Sequence, residues 1–124
     1  MDRNQMIKQI DDFFDKIMID PEKMDVNELI YIIEAIIPVH AKMEISSYDE
    51  VDTLLAVYPY LYQKMIRLYA YFIHKVRVAR QLKNMAQANV FMAYRDPIEE
   101  LIKAVKLQYD ALSRRITNEM ERRG

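Results

Sequence analysis

Between Met1 and Arg123 the chain contains no glycine; the single one is Gly124. Sheet-built folds reverse direction in tight turns, and most tight turns need a residue that tolerates positive φ, so a glycine-free chain is restricted to few reversals and long elements. Leu, Ile, Met, Ala, Glu, Lys, Arg and Gln dominate what remains. The expected fold is all-α: a bundle of four or five helices whose last two form a long antiparallel hairpin. With 124 residues the chain has the size of one domain, 1–124, able to bury a core without disulfide or metal. It has no cysteine, which excludes a disulfide framework and thiolate chemistry and suits a reducing cytosol. The opening MDRNQMIKQIDDFFDKI is too charged for a signal peptide, and the most apolar run, LIYIIEAII, is short and carries Glu34. A buried helix and a cytoplasmic location are expected, with no membrane partner.

Apolar spacing places the elements. Met6, Ile10, Phe13 and Ile17 recur at four, three and four, predicting a helix over about 2–18. IDPEKMD breaks the pattern. Asp25, with Glu28 three residues on, predicts the cap of a second and most buried helix, which Pro38 ends or kinks. Ser47 with Glu50 repeats that cap signature and opens a short helix reaching Tyr58. From Pro59 to about Tyr94 no breaker is visible, which predicts one helix of roughly 50 Å at ~1.5 Å per residue. Its seam reads Leu61, Met65, Leu68, Phe72, Val76, Ala79, Leu82, Ala86 and Ala93, with Asn89 on it. Asp96, Pro97 and Glu99 look like the start of the final helix, which carries Ile98, Ile102, Val105, Tyr109, Leu112, Ile116 and Met120.

Charge is divided unevenly. Residues 1–52 hold five Lys and Arg against thirteen Asp and Glu, a net of −8, while residues 53–124 hold thirteen against six, a net of +7. The halves either neutralise each other, within a bundle or between subunits, or present a basic surface to an anionic partner. Catalytic signatures are wanting: the serines sit in cap or amphipathic contexts, a glycine-rich phosphate loop is impossible, and no Glu-x-x-His pair offers a metal site near His40 or His74. No enzyme, cofactor or metal is expected. The methionines are read as adaptable core filler.

Two kinds of surface remain. The distal seam, Ala79, Leu82, Ala86, Asn89 and Ala93, is the candidate protein interface, its alanines permitting close helix approach and Asn89 able to fix register or oligomer state. Lys64, Arg67, Tyr71 and Lys75, continued by Arg77, Arg80, Asn84 and Gln87 and with Lys83 alongside, form a basic stripe with an aromatic on it. Sequence-tolerant single-strand binders use that combination, although a solvated face paired with acids from the first half is the preferred account of the same residues. Tyr62, Ile66, Tyr69 and Ile73 adjoin the seam and are read as core or interface.

The stretches KVRVARQLKN and RDPIEELIKAVKLQYDALSRRI, within about 64–123, resemble in style the small helical accessory proteins of tailed phages. Recombination mediators that load a recombinase onto single-stranded DNA are one such group. The resemblance implies an oligomer in the host cytosol that binds single strands through Lys75, Arg77, Arg80 and Lys83. Three functions are therefore weighed. The first is a non-enzymatic binding or assembly protein that self-associates or docks to a protein partner. The second is a single-stranded nucleic-acid accessory. The third is a phage-encoded inhibitor of a host nucleic-acid-binding protein, using Asp11, Asp12, Asp15, Asp49, Glu50 and Asp52 as phosphate mimics.

Overall fold

The computed structural model describes residues 3–42 and 48–123, with side-chain surroundings for 3–34 and 55–122. Four α-helices and one short 3-10 turn make up the described residues: α1 Arg3–Ile19, the turn Pro21–Lys23, α2 Val26–Lys42, α3 Tyr48–Gln81 and α4 Met85–Arg123. No strand occurs among them. The spine is an antiparallel α3–α4 hairpin, with α1 laid against α3 and α2 against α4.

Its core follows from spacing. On α3, Val57, Leu61, Met65, Leu68, Phe72, Val76 and Ala79 are buried, and on α4 Ala88, Phe91, Ile98, Ile102, Val105, Leu112 and Ile116 face them. Tyr58 meets Tyr109 at 6.1 Å between ring centroids, and Phe72 stacks on Tyr94 at 4.9 Å, so residues ascending α3 pair with residues descending α4. Met6, Ile10, Phe14 and Ile17 close the α1 side, and Leu29 and Ile33 the α2 side. Phe13 is only half-buried, and Met18 and Met120 are exposed.

Asp25 caps α2 as its position suggests, accepting a hydrogen bond at Oδ1 from the Asn27 amide at 2.9 Å. Pro38 does not end α2, which continues to Lys42. Burial is less complete than expected there: Tyr31 is 74% exposed. The Ser47 cap lies outside the described residues. Pro59 sits inside α3, so the short helix expected before it is the first part of one 34-residue helix.

The hairpin reverses twelve residues before the expected place. The expected link Tyr94–Arg95–Asp96 is not one: α4 runs through it, with Pro97 in its interior. Asp96 spends its carboxylate on the Arg95 guanidinium, at 2.9 and 3.0 Å, instead of capping amides. The buried stripe from Ala88 and Phe91 to Ile98 keeps its register across the proline, and that continuous burial outweighs one missing backbone bond. The reversal occurs at Leu82–Asn84. The Asn84 amide donates to the Ala79 carbonyl at 2.9 Å and the Lys83 amide to the Arg80 carbonyl at 3.0 Å, while Lys83 takes the left-handed conformation at φ 57. This is the Schellman arrangement, normally built around glycine. Asn84 then caps α4, its Oδ1 accepting from the Gln87 amide at 3.1 Å while its side-chain amide donates to Gln87 Oε1 at 3.3 Å. Asn84 and Gln87 therefore belong to a reciprocal cap and not to a basic stripe.

Candidate functional site

Moving the turn divides the expected seam. Ala79 is buried inside the hairpin, whereas Leu82, Ala86, Asn89 and Ala93 point outward. Leu82 is 72% exposed, and Met85 and Val90 beside it are each 56% exposed. These residues of α4 span about 140° of arc, opposite the Ala88–Phe91 face, at ~100° per residue. The outward face continues along the helix. Ala86, Val90, Ala93, Pro97, Glu100, Ala104, Leu107 and Ala111 follow one another at alternating spacings of four and three. All are exposed except the half-buried Pro97, and Leu107 is 70% exposed. Apart from Glu100, which pairs with Lys103 at 3.5 Å, this four-three repeat is of small and apolar residues, as a helix presents to another helix, and α4 already buries a second repeat against α3.

The basic residues of α3 separate into two groups. Lys64 is committed internally: its Nζ lies 3.3 Å from Asp11 Oδ1 and 5.4 Å from the centre of the Tyr60 ring. Tyr60 also donates its hydroxyl to Asp11. That hydrogen bond is the main reason the Asp11 carboxyl falls below the usual 3.8; burial opposes it and Lys64 assists. The same bond raises Tyr60; burial lowers Lys64, but Asp11 together with Tyr60 and Asp15 raises it on balance. The cluster ties α1 to α3. Tyr71 packs edge-on against Phe72 and carries Lys75 over its ring at 5.5 Å. Arg67, Arg77, Arg80 and Lys83 are exposed.

Arg77 and Arg80 line a cleft of about 400 Å³ together with Ile73, Val76, Gln81 and, from α4, Arg95. Arg95, which the sequence places between the long helix and the Asp96 cap signature, lines this cleft because α4 runs through it. Of the tyrosine stripe, Tyr62, Tyr69 and Ile73 are half-buried and Ile66 is 37% exposed, so it borders the core without joining it.

Asp12 and Asp15 are exposed on α1, while Asp11 turns inward to Tyr60 and Lys64. The side chains of Asp49, Glu50 and Asp52 lie outside those described, as does that of His40. His74 is exposed. Among the described residues no group of three or more His, Cys, Asp or Glu side chains is placed to hold a metal ion, and no helix is long and apolar enough to cross a membrane. In comparisons with protein families, curated proteins and solved structures, the chain matches none.

Proposed function

We propose that the protein is a non-catalytic helical assembly module that self-associates through the outward face of α4, with a protein partner of similar helical surface as the alternative occupant. The supporting observation is the second four-three repeat, Ala86 to Ala111, left in solvent by the packing of α3 on the opposite side. Alanines allow two helix axes to approach closely, and burying Val90 and Leu107 contributes about 1.5–3 kcal/mol for each side chain removed from water. The −8 and +7 halves add attraction between copies where an acidic segment of one meets a basic segment of the next. Sedimentation equilibrium at micromolar concentration tests this. Wild type should give a multiple of 14.9 kDa, and the double variant Val90→Glu, Leu107→Glu should fall to the monomer with its helical signal intact. A wild-type mass of one chain at every concentration contradicts the proposal.

A second reading, a single-stranded nucleic-acid accessory of the phage type, draws support from the exposure of Arg67, Arg77, Arg80 and Lys83. Lys64 does not contribute to it, being held by Asp11. A shift assay with oligothymidylate at low salt decides it, and absence of binding there removes it.

A further inference from the structure

We infer that the cleft between α3 and α4 is a binding site for one phosphoryl group, held by Arg77, Arg80 and Arg95. Two helices contribute these arginines to the lining of one open cleft of about 400 Å³, with Ile73 and Val76 beside them and no acidic residue among the lining residues. Their present partners are few. Arg80 donates to the Met92 sulfur at 3.3 Å, and a thioether is a weak acceptor that does not answer a cation. Arg77 has no ion pair among the described residues. Arg95 is paired with Asp96 at 2.9 Å. Three arginines less one carboxylate leave two positive charges without a carboxylate partner among the residues that line one cleft.

That balance selects the ligand. A carboxylate brings one negative charge and two oxygens, whereas a phosphate monoester brings roughly −1.5 to −2 and three strong acceptor oxygens. Planar guanidinium forks match phosphate oxygens two at a time, which a lysine cluster does not do. The apolar lining beside the arginines gives the carbon portion of an ester somewhere to lie. A small phosphate ester and the backbone of a nucleic acid offer the same phosphoryl chemistry. The site goes beyond the single-strand reading because it holds one discrete group and requires Arg95 from the opposite helix. It is equally separate from self-association, since the three arginines lie away from the outward face of α4.

The test uses the full chain labelled with nitrogen-15. Guanidinium Nε–Hε resonances are followed while inorganic phosphate, adenosine monophosphate, a thymidine oligonucleotide without terminal phosphate, and acetate are titrated in separately. Expected are saturable shifts of Arg77, Arg80 and Arg95 with phosphate, weak or no response to acetate, and at least tenfold loss of affinity in Arg77→Gln, Arg80→Gln. Lys106→Gln, exposed elsewhere on α4, should bind as wild type does. Tighter binding of the monophosphate than of the oligonucleotide assigns a small ester; tighter oligonucleotide binding with a steep salt dependence assigns a strand. Either upholds the site. No guanidinium shift with any phosphate probe overturns it, as does an equal loss in Lys106→Gln, which would reduce the effect to general charge attraction.

Discussion

Lys83→Gly separates the observed turn from an unbroken helix by the sign of its effect. Lys83 occupies the left-handed region at φ 57, where a side chain with Cβ pays about 1–2 kcal/mol. Glycine removes that cost and gives back about 0.4–1 kcal/mol through the greater freedom of the unfolded chain. The difference leaves a gain near 0.8 kcal/mol, which corresponds to a Tm increase of about 3–5 °C for a domain of this size. Were residues 59–94 one helix, the same substitution would place glycine in a helix interior and cost about 1 kcal/mol. Thermal and urea unfolding of the two proteins at one protein concentration read the sign directly. A stabilised variant supports the Schellman turn, and a destabilised one refutes both the turn and the placement of the hairpin.

Asn84→Ala should cost about 1 kcal/mol by releasing the Gln87 amide, whereas Asp96→Ala, whose carboxylate serves Arg95, should change the unfolding free energy from urea curves by less than about 0.5 kcal/mol. Phe72→Ala, fully buried and stacked on Tyr94, should lose about 3–5 kcal/mol in the same assay; a loss below about 1 kcal/mol would mean that α3 and α4 do not pack here. The Asp11 carboxyl sits below 3.8 in the fold, so its contribution is complete above that pH and disappears as pH falls through the folded value. Asp11→Asn should therefore cost about 1 kcal/mol at pH 6 and nothing at the acid end, measured as paired urea curves; a gap independent of pH contradicts this. Burial pushes the Tyr58 hydroxyl up to about 12, so the fold loses that contribution as pH rises from 10 through 12, and Tyr58→Phe should delete the corresponding late step in an ultraviolet tyrosinate titration.

Regular helix faces and the break at IDPEKMD were readable, and the reversal of the hairpin was not. Met6 to Ile17 and Ile98 to Ile116 carry strong four-three spacing, and Asp25 caps where it stands. The hairpin turn escaped because its left-handed position holds Lys83, which has no turn signature, while Asp96–Pro97 supplied a convincing but inactive one. Two signals pointed to the true site. Asn84 and Gln87 stand in capping-box spacing, and counting back seven from Ile98 reaches Phe91, which cannot share a seam with Ala86 and Ala93. Accepting Phe91 as core shifts the whole outward face of α4. The arginine cleft was beyond reach, because Arg95 meets Arg77 and Arg80 only once the hairpin register is known.

The chain has no cysteine, so Ala104→Cys gives a single attachment point for a spin label in the middle of the outward face. A dipolar distance measurement on that labelled protein tests self-association through α4 directly. The account predicts a discrete interspin distance below about 40 Å, the length of the 86–111 face at ~1.5 Å per residue, and its disappearance on dilution with unlabelled chain. A featureless background decay at high micromolar concentration would contradict it.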